Sequence, residues 1–461
     1  MKCTVQQIGL LLLVALPAAS QVVLTLPVAL RRAGRTSLQA DLARLDQAGA
    51  QEESAQVKSL FLPEVLFQGG HLNLDHEPAL RIGPLAVGPI QAGPLTIGPL
   101  DLGTLTAPMA DTASWRYKLS VQYLVYDFGK RERALAASRS KEGATGLKGS
   151  ADVRKAQAEV AVRYVALLDV KSRKAVVAQR RKALEDHHRI ALDLFNQGIV
   201  ARNDLLRTEV VLRDLGDSLR ALENAEAKAR EALNVAMGLA PETPQAFPQE
   251  LPPPPSLPWN EAACRVKAAE ANEGVKALKA KVRALEEQLT LRKRDGTPNL
   301  VAEAAHSYAQ NSYMVHPHEN SLYVGLSWKI FDGARASKVR QSSLEADRGR
   351  REVLEGERQA ASAAAASHRE FLAALREADT AGENVKAAEE NLRIVEDQYK
   401  EGLARTTDVL DAESVLAESR FSLTEKRYRA YTRQAALLAA LGEDLPAFYE
   451  TASATGLQRE K

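Results

Sequence analysis

The sequence predicts a mainly α-helical chain that also carries a membrane β-barrel, written as two copies of one helix–hairpin–helix unit. Three observations predict it. A long segment recurs at a constant spacing, the helical runs are far longer than those of ordinary domains, and two short segments alternate apolar and polar residues.

The repeat fixes the organisation. "FNQGIVARNDLLRTEVVLRDLGDSLRALENAEAKAREALNVAMG" (195–238) lies without a gap on "YKEGLARTTDVLDAESVLAESRFSLTEKRYRAYTRQAALLAALG" (399–442). At an offset of 204, Gly198 meets Gly402, Asp204 meets Asp408, Leu206 meets Leu410, Glu209 meets Glu413 and Gly238 meets Gly442. Upstream, "YDFGKR" (126–131) answers "IFDGAR" (330–335), and 69 residues separate Gly129 from Gly198 as they separate Gly333 from Gly402. Between the halves, residues 241–258 hold eight prolines and read as a linker. The organisation is therefore a first repeat over 21–240, the linker, a second repeat over 259–445, and a tail over 446–461.

Each repeat has the same order of elements. In the first, a helix over about 29–60 ends before Pro63, strands follow at about 64–74 and 115–128, and a long helix runs over 130–197 to Gly198. A shorter helix then occupies about 203–238. The second repeat has a helix at 261–293, strands at 299–309 and 321–331, a long helix at 334–401 and a helix at 407–442. Sixty-eight helical residues reach about 100 Å at 1.5 Å per residue, and the two shorter helices placed end to end match that length. Such helices build a rod or tube. Glycines at 143, 146 and 149 lower helix stability and predict a distortion there.

The strands are told by their faces. In "WRYKLSVQYLV" (115–125), Trp115, Tyr117, Leu119, Val121, Tyr123 and Val125 fall on one side, with Arg116, Lys118, Ser120 and Gln122 on the other. In "SLYVGLSWKI" (321–330), Leu322, Val324, Leu326, Trp328 and Ile330 share a side. Apolar faces carrying Trp and Tyr on strands of about 10 residues suit a tilted bilayer crossing. Four strands cannot close a barrel, so copies must associate to satisfy the edges. The faces agree only when Asp127 is set on Asp332, one residue off the glycine alignment; the extra residue is expected between Asp127 and Gly129, at Phe128.

Other features narrow the class. Lys2, the apolar run Ile8–Leu16 and "PAAS" read as a cleaved export signal over 1–20. Cys3 leaves with it, so Cys264 has no disulfide partner. With 61 basic and 59 acidic residues the chain has no nucleic-acid footprint. No catalytic constellation stands out, so neither an enzyme nor a cofactor or metal is expected; "HPH" (316–318) reads as a solvated loop, and His187-His188 as a polar helix face. His71 and His306 stand at matching distances after Pro63 and Pro298 and read as a barrel–tunnel junction.

The export signal, the duplicated unit, the strand exit "FDG" and the segment "YKEGLARTTDVLDAE" (399–413) together resemble the outer-membrane efflux protein (TolC) family. That resemblance implies a homotrimer in the outer membrane of a Gram-negative bacterium. Its twelve-stranded barrel would continue into an α-helical tunnel through the periplasm, serving as exit duct for an inner-membrane pump of RND or ABC type. A periplasmic adaptor (membrane fusion) protein would dock at the helix–helix turns Gly198-Ile199-Val200, with Asp204, and Gly402-Leu403-Ala404. Asp408 and Asp411 match the family's gate acids, with Arg405 as their partner across subunits. Trp115, Tyr117, Tyr123 and Trp328 would be the membrane-interface aromatics. Blander readings stand beside these: apolar turns held by their own contacts, and Asp408 as a first-turn acid favoured by the helix dipole. The rival class is a periplasmic coiled-coil structural or adaptor protein without a channel.

One stretch resists the helical pattern. "RIGPLAVGPIQAGPLTIGPLDLG" (81–103) sets Gly-Pro at 83, 88, 93 and 98, with an apolar residue after each proline. The first hairpin exceeds the second by 30 residues and this stretch lies in the excess, so it reads as an insertion between two strands. Its glycines and prolines are expected to prevent it from extending the barrel sheet, and its apolar residues to pack it on a surface.

Overall fold

A computed structural model describes residues 23–198 and 201–451. The export segment, Ile199 and Val200 lie outside the described residues. The elements in chain order are α1 (Leu26–Thr36), α2 (Leu38–Ser59), β1 (Glu64–Asn73), β2 (Ala79–Ile82), β3 (Ala86–Val87), β4 (Ile90–Ala92), β5 (Leu95–Ile97), β6 (Leu100–Asp101), β7 (Leu105–Pro108) and β8 (Ala113–Tyr126). Then come α3 (Lys130–Asn196), α4 (Arg202–Ala236), α5 (Glu261–Ala271), α6 (Glu273–Arg294), β9 (Asn299–Ala309), β10 (His318–Ser327), α7 (Arg335–Lys400) and α8 (Thr406–Ala440). They form two compact units that cut across the repeats: one from residues up to Gln47, 144–278 and 352 onward, the other from 48–143 and 279–351. No described helix is long and apolar enough to cross a membrane.

The first unit is helical. Leu30, Ala33, Val160, Tyr164, Leu167, Leu168, Leu233, Met237, Tyr431 and Leu438 build its main core. The Tyr164 hydroxyl, buried among them, donates to the Leu24 carbonyl at 2.8 Å, as a buried phenol must. The proline-rich segment is more than a linker: Phe247, Leu251, Leu257 and Trp259 pack against this core. Part of the expected tail joins it too, since residues 445–451 are helical and bury Leu445 and Tyr449.

Two single helices of the sequence reading are each broken in two. The break falls at Ser37 in the first repeat and Asn272 in the second, with neither glycine nor proline at the site. Its cause is tertiary. Gly238, which ends α4 at φ 75°, lies so close to Thr36 that a Cβ would come within 1.8 Å of its carbonyl oxygen. Gly442, after α8 at φ 73°, stands likewise 2.8 Å from the Ala271 oxygen. Hydrogen bonds hold both approaches: Thr36 Oγ1 to the Met237 carbonyl at 2.6 Å, and Asn272 Nδ2 to the Ala440 carbonyl at 2.9 Å.

The glycines of α3 also act through packing. The helix is unbroken over 143–149, and the expected distortion gives way to close approach: a Cβ on Gly149 would meet Ala43 at 3.0 Å, and one on Gly146 the Gln47 side chain at 2.8 Å.

The second unit is built on a four-stranded antiparallel sheet in the order β1-β8-β9-β10. Both sides of its strand exits are capped. The buried Asp127 carboxylate accepts the backbone N–H groups of Gly129, Lys130 and Arg131 at 2.8–3.2 Å, supplying acceptors to the open end of α3. It also pairs with the buried Arg131 guanidinium at 3.2 Å. Asp332 does the same for α7 more weakly, accepting from Ala334 N–H at 2.9 Å and Lys338 Nζ at 3.2 Å. In both repeats the helix starts three residues after the aspartate, so the extra residue of the first half is not taken up at Phe128. It lies within the long helix, 67 residues in α3 against 66 in α7. Phe128 does hold a left-handed φ of 58°.

The Gly-Pro insertion stays out of the four-stranded sheet, as expected, but does not pack on a surface as expected. It forms a ribbon of short paired strands, β2 with β7, β3 with β6 and β4 with β5, and residues 75–106 are exposed throughout. Proline and glycine interrupt the ladder every few residues without abolishing it, and the ribbon packs on no described surface of the chain.

Candidate functional site

The sheet separates two chemistries. Register places Trp115, Tyr117, Leu119, Val121 and Tyr123 of β8 on one face with Val65 and Phe67, Ala302 and Ala304, and Leu322, Val324 and Leu326. Apart from half-buried Tyr117, the large members of this set are exposed, Leu322 at 78% and Phe67 at 66%. On the opposite face Lys118 Nζ pairs with Glu303 Oε1 at 2.6 Å, and Gln122 Nε2 approaches the other carboxylate oxygen at 3.5 Å. The outer β1 and β10 strands each have one unpaired edge.

The aromatic calls fall at the two ends of the apolar face. Trp115 and Tyr117 are at the loop end, where Tyr117 stacks on Tyr308 with ring centres 5.1 Å apart. Tyr123 is toward the helical end. Trp328 lies beyond β10, which stops at Ser327, so the expected strand to 331 is shorter than predicted. Its indole N–H donates to the Gly296 carbonyl at 2.9 Å, fixing it beside the turn before β9. His71 and His306 are not junction residues: they sit at the loop end, His71 against Trp115 and His306 against His318. His318 opens β10 rather than belonging to a loop. No described group of His, Cys, Asp or Glu has a metal-holding arrangement.

The second candidate region is the pair of turns joining α3 to α4 and α7 to α8. Gly198 and Gly402 have φ of 76° and 74°, the left-handed conformation that ends a helix and that glycine adopts without cost. Their N–H groups return to Phe195 and Tyr399 carbonyls at 2.9 and 3.0 Å. The turns line one cleft of about 580 Å³, with Ala201, Asn203, Asp204 and Arg207 from the first and Gly402, Ala404 and Arg405 from the second. Leu403 is 76% exposed.

The acids there differ in state. Asp408 accepts the Arg405 backbone N–H at 2.8 Å, so its carboxylate is engaged at the start of α8. Asp411 and Arg405 are exposed, and neither has an ion-pair partner among the described residues. Behind the turn is a buried polar group that the sequence reading missed. The His187 ring packs 4.7 Å from Tyr399, whose hydroxyl meets Thr406 Oγ1 at 3.3 Å. Burial, then the neighbouring His188, lower the His187 pKa. His187 is thus no polar surface residue, and only the repeat's facing helices bring it to Tyr399. Nearby Glu413, also buried, has its pKa raised by burial, partly countered by Arg180.

Residues 265–443, covering most of the second repeat, match the outer membrane efflux protein family. That segment is similar to this family over its whole matched length. The fold of the chain is that of solved outer-membrane channels along nearly the whole length. The Vibrio cholerae outer membrane protein VceC superposes with a TM-score of 0.67 at 16% identity, covering 91% of this chain and 96% of that one. The Neisseria gonorrhoeae MtrE outer membrane channel, solved in its open state, gives 0.69 at 15%, covering 91% and 89%. The Campylobacter jejuni CmeC outer membrane channel gives 0.67 at 13%, covering 93% and 89%. No curated protein sequence matches the chain.

Proposed function

We infer that three copies of this chain form an exit duct in the outer membrane, passing substrates of a tripartite efflux or type I secretion system to the exterior. One observation carries the reading: a four-stranded sheet with two open edges, an exposed apolar face and an opposite face holding Lys118, Glu303 and Gln122. Open edges are not tolerated in hydrocarbon. Three such sheets joined β1 to β10 give a closed barrel of twelve strands, apolar outside and polar inside. From Trp115 to Tyr126 the strand runs about 36 Å, which at a tilt of about 40° rises about 28 Å, near the height of an apolar barrel band.

The helical unit then provides the periplasmic tunnel. Exposed Leu403, beside Gly402 and Ala404, and its counterpart turn at Gly198 with Asp204 are the docking points for a periplasmic adaptor, which links the duct to an inner-membrane pump of RND or ABC type. Asp411 and Arg405, without an ion-pair partner among the described residues, would pair between subunits and close the tip, with Asp408 contributing charge while capping its helix. The work is transport, with no covalent chemistry asked of any residue. The test is biochemical: purified from outer membranes, the protein should run as a heat-modifiable trimer and conduct ions in planar bilayers. A monomer recovered from the soluble periplasm would overturn the reading.

A further inference from the structure

The Gly-Pro ribbon has an internal symmetry. Ala79 faces Pro108, Val87 faces Leu100 and Ala92 faces Leu95, so one register holds from base to tip. Carried through the upper interruptions, that register sets Pro89 against Gly98 and Pro99 against Gly88, and folds the chain at Gly93-Pro94, where Gly93 has φ 68°. Lower down it is locally irregular: Leu102 N–H donates to the Leu85 carbonyl at 2.9 Å while Leu85 N–H donates to the Gly103 carbonyl at 3.1 Å. Two prolines therefore meet glycines across the ribbon, which alternates narrow waists with bulky apolar pairs such as Leu85/Leu102 and Ile90/Ile97. A repeat of five is odd, and in a strand an odd step reverses the face. Successive apolar pairs are thus offered to opposite sides: Ile82/Leu105 to one, Leu85/Leu102 to the other, Ile90/Ile97 to the first again.

Neither water nor lipid suits this object. No charged residue stands between Arg81 and Asp101, and Ile90 and Leu95 are 50% and 65% exposed. A two-stranded ribbon has two open backbone edges, and prolines delete some N–H donors but leave the carbonyls, so it cannot lie in hydrocarbon. The same prolines hinder an added strand at either edge. What remains is packing through its faces against protein, and the described residues offer it no surface within the chain. In a cyclic assembly each copy meets its two neighbours through different surfaces, and a ribbon apolar on both sides supplies both.

We propose that residues 79–108 are an inter-protomer contact, in which one apolar face of each ribbon packs on the opposite face of the ribbon from the next copy of this chain. The proposal rests on the closed-barrel reading above, and the test separates the two. Full-length protein in outer-membrane vesicles carries Leu85→Cys, Ile90→Cys, or both, and is treated with a short bismaleimide; Phe67→Cys with Leu322→Cys on the outer strands reports barrel closure. The native Cys264 is buried. The double ribbon variant should shift to the mass of three linked chains while each single variant stays monomeric. Cross-linking of the single variants as efficiently as the double would overturn opposite-face packing. A monomeric double ribbon variant beside a linked barrel control would overturn the contact itself. If the barrel control also fails, the closed-barrel reading fails and takes the proposal with it. Quenching of a fluorophore on Leu85→Cys by brominated lipid would assign the ribbon to the bilayer and likewise overturn the contact.

Discussion

Three glycines share one backbone conformation and differ only in what surrounds them, which makes a graded test of how the helical unit is held. Gly198, Gly442 and Gly238 have φ of 76°, 73° and 75°. Alanine at any of them costs about 1 kcal/mol for the left-handed backbone. A Cβ on Gly198 meets nothing within 4 Å, one on Gly442 comes to 2.8 Å from the Ala271 oxygen, and one on Gly238 to 1.8 Å from the Thr36 oxygen. The first substitution should therefore cost about 1 kcal/mol and no more. Gly442→Ala must also push the α5 end back by some tenths of an ångström, adding about 1 kcal/mol. Gly238→Ala cannot be accommodated without displacing Thr36, which breaks its hydrogen bond to Met237; overpacking and the lost bond bring the total to about 3–5 kcal/mol. Thermal unfolding of the detergent-solubilised variants, followed by helical circular dichroism, should rank the midpoints Gly198→Ala, then Gly442→Ala, then Gly238→Ala. Equal losses at all three would refute the close-approach account and leave only the backbone term.

Other consequences follow from the same geometry. Asp127→Ala removes the acceptor for three N–H groups and strands the buried Arg131, so it should destabilise the strand exit by about 3 kcal/mol, and the half-buried Asp332→Ala by clearly less; limited proteolysis of the two variants checks the contrast, and equal cleavage would refute it. His187 holds its proton less tightly in the folded chain than in the unfolded one, so its contribution is present above about pH 6.5 and is lost as pH falls through that value toward the lowered one. Buried Glu413 works oppositely, favouring the folded state as pH falls through its raised pKa, so His187→Leu should make the melting midpoint climb more steeply on acidification than in the wild type; identical slopes would count against the burial argument. At the tip, Asp411→Ala should lower the cation-to-anion permeability ratio in bilayers several-fold and Arg207→Ala should raise it, because both side chains are exposed and carry opposite charge at matching places in the repeats. Unchanged selectivity in both would remove these residues from the conduction path.

The strand faces were legible because alternation is a local property: the polar and apolar sides of 115–125 follow from the pleat alone. The long helices were legible for the same reason, and Gly198 and Gly402 announced their ends. The breaks at Ser37 and Asn272 were not, since nothing at those positions opposes a helix; the cause lies some two hundred residues away in sequence at Gly238 and Gly442. Gly146 and Gly149 misled for the converse reason. Helix propensity describes an isolated segment, and here the lost side chain serves close approach of α2, which propensity does not see. The ribbon was legible in principle. Gly-Pro at 83, 88, 93 and 98 mirrors about 93.5 into proline-against-glycine pairs, a relation between distant positions that proline's local effect on a strand does not reveal.

The duplication explains why the site was harder to read than the fold. The two copies agree where one copy must pack on the other: the glycines at 238 and 442, the capping aspartates at 127 and 332, the turn glycines at 198 and 402. They differ where each reaches out of the packed structure. Leu206-Arg207 stands opposite Leu410-Asp411, Asp127 is buried with an arginine while Asp332 is only half-buried with a lysine, and only the first hairpin bears the ribbon. Three copies of a chain with identical halves would present six equivalent tips and six equivalent hairpins. In the trimer proposed above, three copies of this chain would alternate instead, an arginine tip with an aspartate tip and a ribbon-bearing hairpin with a short one. Such alternation would let neighbouring tips attract and not repel, favouring a closed end, and would leave space beside each ribbon for the face of the next.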